Sequence, residues 1–309
     1  MSGTYKALGI NLKSAPLGES DRLLTILTEE FGLIRAVAPG SRKHKSSLGG
    51  RSSLFVVNHL LVARGKNLDK ITQAESLESY PGLSQNLGKL TAGQYLAELA
   101  LLQAMDDHPQ PDLFFLLREH LSRLEKVPAA ATLPCLVHAT YHLLALAGLP
   151  PQVQNCCVTQ QLITPNFSEP DWRVGFSVSA GGTFLLSALD RLKADSPAPK
   201  ASESRALALK AAPRSATQAF ALPQRSPAKA TDLYTQIGAI ELDTLQQLAQ
   251  PDLIQNWLAT PSAPLPASRI WLSLERLLRQ YAQYHFDRSI RSATLIDACF
   301  ADALPVCDP

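Results

Sequence analysis

The sequence predicts an α+β chain: a small N-terminal β-barrel, then an all-helical body that carries a small β-rich insert. Three observations predict it. Residues 5–77 break into five or so short apolar runs separated by turn residues, residues 91–149 switch to long stretches of helical period, and residues 155–189 return to short Thr, Val and Ile runs around Gly181-Gly182. At 309 residues, 46% of them hydrophobic, the chain is long enough for more than one such unit to bury a core.

The strands expected in the first unit are 7–12, a hairpin of 23–27 and 33–38 turning at Glu29-Glu30-Phe31-Gly32, then 53–57, 59–65 and 68–74. Five or so short strands in that length fit a small closed barrel such as the OB-fold. Pro39-Gly40 then opens the loop Ser41-Arg42-Lys43-His44-Lys45-Ser46-Ser47, which contains no acid. From Arg35 to Lys70 the cations Arg35, Arg42, Lys43, Lys45, Arg51, Arg64, Lys66 and Lys70 oppose Asp69 alone, a local charge of +7 in a chain of net +2. A charge run by itself is commonly a solvated loop; positive charge concentrated to this degree points to a phosphate polyanion. Tyr5, Phe31 and Phe55 are the aromatics available before Tyr80, and the last two of the three stand in apolar contexts that suit a core. Binding carried by backbone charge has weak sequence preference and steep salt dependence.

Three helices are expected next, at 91–105, 112–126 and 132–149, the last stopped by Gly148 and Pro150-Pro151. Gly82 to Leu90 approaches a phosphate-binding loop, but it has five residues between its glycines and Leu90 where a hydroxyl belongs, so no nucleotide site is expected. Cys135, His138 and His142 share one helical face without an evident fourth donor. Buried Cys and hydrogen-bonded His are the commoner outcome, and no metal is expected there. Residues 196–230 are rich in Pro, Ala and Ser, with Lys200, Arg205, Lys210, Arg214, Arg225 and Lys229 against Glu203, and predict a disordered basic linker. Beyond it, 231–259 predicts two helices and 268–282 a long one, N-capped by Ser268, whose stripe of Ile270, Trp271, Leu274, Leu277, Leu278 and Tyr281 faces the core. The expected units are thus 1–80, 81–150, 151–195, 196–230 and 231–309. Five cysteines, odd in number and irregularly spaced, predict reduced thiols. Neither a signal peptide nor a stretch long enough to span a bilayer is evident, so a cytoplasmic protein is expected.

Four stretches resemble the RecO family of bacterial DNA recombination mediators. The run from Gly18 to Thr28 followed by Phe31-Gly32 looks like that family's opening strand pair, and Pro39 to Ser46 is similar to its basic loop. Ala74-Glu75 matches the acidic position closing its barrel, and Asp287-Arg288-Ser289-Ile290-Arg291-Ser292 looks like the end of its last helix. The resemblance implies an OB-fold, a helical body and binding of single- and double-stranded DNA. It further implies annealing of strands coated by single-strand-binding protein, contact with that protein's C-terminal tail, and loading of RecA with RecR, for a protein associated with the nucleoid. It carries DNA contact to Arg42, Lys43 and Lys45; the other five cations rest on charge alone. Many members bear a four-cysteine zinc module after the third helix. Here Thr159 stands where the partner of Cys156 belongs, and 183–186 holds no cysteine, so the insert is expected to be a degenerate, metal-free zinc-finger-like unit packed on Phe167, Trp172, Val174 and Phe176. No cofactor is expected.

An enzyme is disfavoured by the failed phosphate loop, by the absence of G-x-S-x-G and H-E-x-x-H patterns, and by carboxylates that nowhere cluster like a metal nuclease site. The remaining alternative is a protein-interaction scaffold with incidental nucleic-acid binding.

Overall fold

The computed structural model describes residues 3–195, 234–259 and 266–300. Its first five strands are β1 (Thr4–Leu17), β2 (Asp21–Thr28), β3 (Gly32–Ala38), β4 (Val57–Ala63) and β5 (Asp69–Glu78). They close a barrel in the order β1-β2-β3-β5-β4, every pairing antiparallel except β3 with β5. Alternation along β2 and β3 sends Leu24, Ile26, Ile34, Ala36 and Ala38 inward, where they meet Leu60, Val62 and Ile71.

The sequence places a strand at 53–57 that the structure does not form. Phe55 instead takes φ of 62°, and Asn11 grips the connection: its backbone N–H donates to Val56 O at 3.1 Å and its amide Nδ2 to Arg51 O at 2.7 Å and Ser53 O at 2.9 Å. These bonds satisfy the backbone that a ladder would otherwise serve, and the strand begins only at Val57. Phe55, with Ile10, Leu12, Leu27 and Val57, belongs to the same core as the helices, so the barrel is fused to the body through its closed end.

The body holds α1 (Pro81–Ser84), α2 (Leu87–Gln103), α3 (Pro111–Lys126) and α4 (Thr132–Leu146). Asn86 caps α2, its Oδ1 accepting from Lys89 N at 3.0 Å. Lys89, the lysine of the abortive phosphate loop, donates to Glu125 O and Val127 O at 2.7 and 2.6 Å, where it satisfies the carbonyl end of α3. α4 packs against α2, α3 and later α8, which is why nearly every one of its positions is buried. The window Ala129–Leu146 reaches a mean hydropathy of 1.3, long and apolar enough to cross a membrane by composition, contrary to the sequence expectation; 72% of it is buried inside the body, as suits a central core helix.

The insert forms a sheet of β6 (Arg173–Ser177), β7 (Gly182–Phe184) and β8 (Tyr234–Gly238) in the order β7-β6-β8, between which lies α5 (Leu189–Asp195). β8 departs from the helix-only reading of 231–259: Thr235 and Ile237 pair with Phe176 and Val174, so the sheet is completed from beyond the segment expected as a linker. That segment, 196–230, lies outside the described residues. Val174, Phe176, Phe184 and Ile237 join the main core, whereas Phe167 is 63% exposed and does not pack the insert as expected. The chain continues with α6 (Ala239–Gln247), α7 (Leu253–Ala259), α8 (Ser268–Phe286) and α9 (Ala293–Cys299). Ala267, and not Ser268, stands at the N-cap of α8, and its apolar stripe of Trp271, Leu274, Leu277, Leu278 and Tyr281 is buried as expected.

Candidate nucleic-acid interface

The basic loop after β3 is built on the turn before β2. Gly40, at φ of 62°, donates its N–H to Asp21 Oδ1 at 2.7 Å, Arg42 N–H reaches Ser20 O at 2.8 Å, and Arg42 Nη1 reaches Gly18 O at 2.8 Å. Bonds from Lys43 N to Gly40 O and from Ser46 N to Lys43 O continue the chain of turns, with Lys45 at φ of 63°. The backbone's polar groups are thereby satisfied inward, and the side chains of Arg42, Lys43, His44 and Lys45 are left exposed. The Gly40 N–H and the Ser20 hydroxyl hold the Asp21 carboxyl below the usual carboxylate range, helped by the charges of Lys43 and Lys70. Asp21 therefore both anchors the loop and brings Lys43 and Lys70 within its field.

The eight cations singled out in the sequence do not form one surface. Arg42 shares a cleft of about 770 Å³ with Arg22, between the barrel and α1, with Tyr80 and Leu83 along it. Arg35, Arg64 and Lys66 line a second cleft together with Asp69, Asp106 and Asp107, which offset their charge. Arg51 is half-buried with its Nη1 on Ser47 O, in a third cleft beside Lys6, His59, Glu29, Glu30 and Glu75. The remaining group is accordingly Arg42, Lys43 and Lys45, extended by Lys70 and by Arg22, beside the Asp21 anchor. Arg22 escaped the sequence reading because it lies outside the 35–70 window; its place as the second residue of a strand next to the loop's anchor, Asp21, is the signal that could have found it.

No barrel aromatic is a free stacking platform. Phe55 and Tyr80 are buried, and Phe31 packs edge-on against Tyr5 at 4.7 Å. Tyr5 donates its hydroxyl to Asp69 beneath the Arg64 guanidinium, and burial, with the Asp69 bond and charge, raises its phenol far above the ordinary value.

Comparison with known proteins sets this geometry in a family. Residues 1–80 match the family Recombination protein O N terminal, and residues 84–237 match Recombination protein O C terminal. The DNA repair protein RecO of Nostoc sp. (strain PCC 7120) is 53% identical over 304 residues, covering 97% of this chain and 98% of its own. That of Cyanothece sp. (strain PCC 7425) is 50% identical over 310 residues, 99% of each chain, and that of Gloeobacter violaceus is 42% identical over 301 residues, 97% of this chain and 95% of its own. The chain belongs to the RecO family.

The four-thiolate zinc module that the RecO resemblance raised can be tested on the residues present. The two segments that would carry the thiol pairs do meet: Cys156 Sγ accepts N–H groups from Thr159 at 3.3 Å and Leu185 at 3.4 Å. Burial pushes the Cys156 thiol up, but these donors outweigh it and bring it below its ordinary range. Cys157 lies next to it with Sγ 4.0 Å from Gly182 O, and the positions that should complete the set are Thr159 and residues 183–186. Two adjacent thiols, both hydrogen-bonded to backbone, do not fit a four-thiolate ion.

Proposed function

We propose that this RecO-family chain acts as a non-enzymatic mediator of recombination in DNA repair, working in the cytoplasm on the nucleoid. The observation that carries the reading is the loop of Arg42, Lys43 and Lys45: its backbone is pinned inward through Asp21, whose carboxylate accepts from Gly40, and three fixed cations are exposed to solvent. Phosphates of single- or double-stranded DNA are held there by charge, with Lys70 and Arg22 extending the track, and base identity is not read. Two strands neutralised on one surface repel each other less, which favours annealing. The helical body serves partners: RecR, the acidic C-terminal tail of single-strand-binding protein, and through them RecA. No cofactor takes part in strand binding. Annealing of complementary oligonucleotides coated with single-strand-binding protein tests the reading. The Arg42→Glu, Lys43→Glu, Lys45→Glu triple variant should lose most of the acceleration while keeping the wild-type circular dichroism; an undiminished rate in a folded variant would favour a scaffold whose barrel does not hold DNA.

A further inference from the structure

Away from the barrel, α3 and α4 bring three imidazoles together. His120 from α3 joins His138 and His142 from α4, each offering a nitrogen within 4.8 Å of the others, with ring centroids 4.1 to 5.7 Å apart. The sequence suggested Cys135, His138 and His142 as the shared face. The fold replaces Cys135 with a donor from another helix, and burial pushes the Cys135 thiol up to about 12, so that it stays protonated.

Hydrogen bonds fix which nitrogens carry lone pairs. A carbonyl oxygen only accepts, so the contacts of His138 Nε2 with Gln250 O at 2.8 Å and of His142 Nε2 with Leu248 O at 2.9 Å put the proton on Nε2 in both rings. Arg123 Nη1, which only donates, lies 3.2 Å from His138 Nδ1 and marks that atom as an acceptor. An outer N–H held by a backbone carbonyl, with the lone pair on the inner nitrogen, is the arrangement metal-ligating histidines show, and at His138 that lone pair is taken by Arg123. His120 is 2% exposed and its Nε2 has no partner, an unsatisfied buried nitrogen that folding ordinarily avoids.

We propose that His120 Nε2, His138 Nδ1 and His142 Nδ1 form a three-imidazole site for a borderline-soft divalent cation such as zinc or cobalt, with water at the fourth position. The ion displaces Arg123 Nη1 from His138 Nδ1 and with it the bond from the same nitrogen to Pro251 O, while Arg123 Nη2 keeps its bond to Glu119. Since both outer N–H groups hold carbonyls of the 248–250 turn, an ion here would tie α3 and α4 to the turn between α6 and α7. The site is unrelated to the insert thiols and does not depend on the DNA-binding reading.

The test uses full-length, chelator-washed protein titrated with Co²⁺ and, separately, dialysed against Zn²⁺ and assayed for bound metal. The expected result is one equivalent per chain, visible d–d bands without a thiolate-to-cobalt charge-transfer band, and a rise in Tm on loading. His120→Leu removes the unpaired nitrogen with a side chain of similar size, so it should fold and lose metal affinity by more than about 100-fold. The Cys156→Ser, Cys157→Ser double variant should keep full binding. No stoichiometric uptake by the wild type, uptake undiminished in folded His120→Leu, or loss on replacing the two cysteines would overturn the proposal.

Discussion

Replacing Arg279 by Met should expose the electrostatic knot that locks the last two helices. Arg279 on α8 donates to Glu275 one turn earlier and to both oxygens of Asp297 on α9, at 2.7 and 2.9 Å. Glu275 is 1% exposed, Arg279 12% and Asp297 39%. The two buried partners give opposite signals about their pairing. Burial raises the Glu275 carboxyl despite Arg279, which disfavours its charge, whereas Arg279 is itself raised, which favours its own. The exposures reconcile them, since the carboxylate has surrendered more hydration than the guanidinium, and Arg279 has a second partner in Asp297. Removing the cation then leaves a buried, unpaired carboxylate, a loss of about 3–5 kcal/mol. Glu275 can limit that loss by taking up a proton. A group whose folded pKa is raised contributes its full stability below the unfolded carboxylate value and loses it as pH rises through the folded value. The deficit of Arg279→Met should therefore be larger at pH 8 than at pH 5. Urea unfolding at both pH values, with the slope m checked for constancy, measures it. The Glu275→Leu, Arg279→Met double variant, which removes the buried charge with its partner, should recover at least about half of the loss. A deficit below about 1 kcal/mol at pH 8, the range of an exposed pair, would refute the reasoning; so would equal deficits at the two pH values.

Other outcomes follow from the same geometry. Gly32→Ala should cost at least about 2 kcal/mol in thermal unfolding, because φ is +63° and the new Cβ would sit 2.2 Å from His108 O and 2.4 Å from Met105 O, where the barrel meets the body. In chelator-washed protein, burial, opposed in part by the bond to Gln250 and aided by the charges of His142 and Arg123, lowers His138 to about 4; the stability this neutral ring contributes is complete above about pH 6.5 and falls by up to about 3 kcal/mol as pH drops to 4, read by urea unfolding. Asp21→Ala should release the basic loop and speed tryptic cleavage after Arg42, Lys43 and Lys45 without unfolding the barrel, as circular dichroism would report.

The barrel and the helices were legible because their signals are local. Period-two runs with Gly32 and Pro39-Gly40 at the bends can be seen in any short window, as can the apolar stripe of α8. What escaped depends on contacts between distant residues. Val57 starts β4 only because Asn11, far earlier, holds the preceding turn. Tyr234–Gly238 is a strand because β6 offers it an edge across a long intervening segment, and no helical or alternating pattern announces it. Phe167, a lone aromatic between Asn166 and Ser168, was expected to pack and lies exposed. At the candidate interface the charge excess was plain, but its division was not: Asp106 and Asp107 come from beyond α2 to offset Arg35, Arg64 and Lys66, while Arg22 joins Arg42 from outside the basic window. His120 lies eighteen residues before His138 on a different helix, so only the packing of α3 on α4 makes the imidazole cluster.

The central claim is that the 41–47 loop holds DNA by its phosphates. Its most direct test is the salt dependence of single-strand binding, measured by fluorescence anisotropy for the wild type and for the Arg42→Gln, Lys43→Gln, Lys45→Gln variant. Three lost phosphate contacts at about 0.7 each should flatten the slope of log affinity against log salt by about 2, so that between 50 and 200 mM salt the wild type loses about 20-fold more affinity than the variant. Parallel slopes for the two proteins, or no binding by the wild type at low salt, would contradict the account.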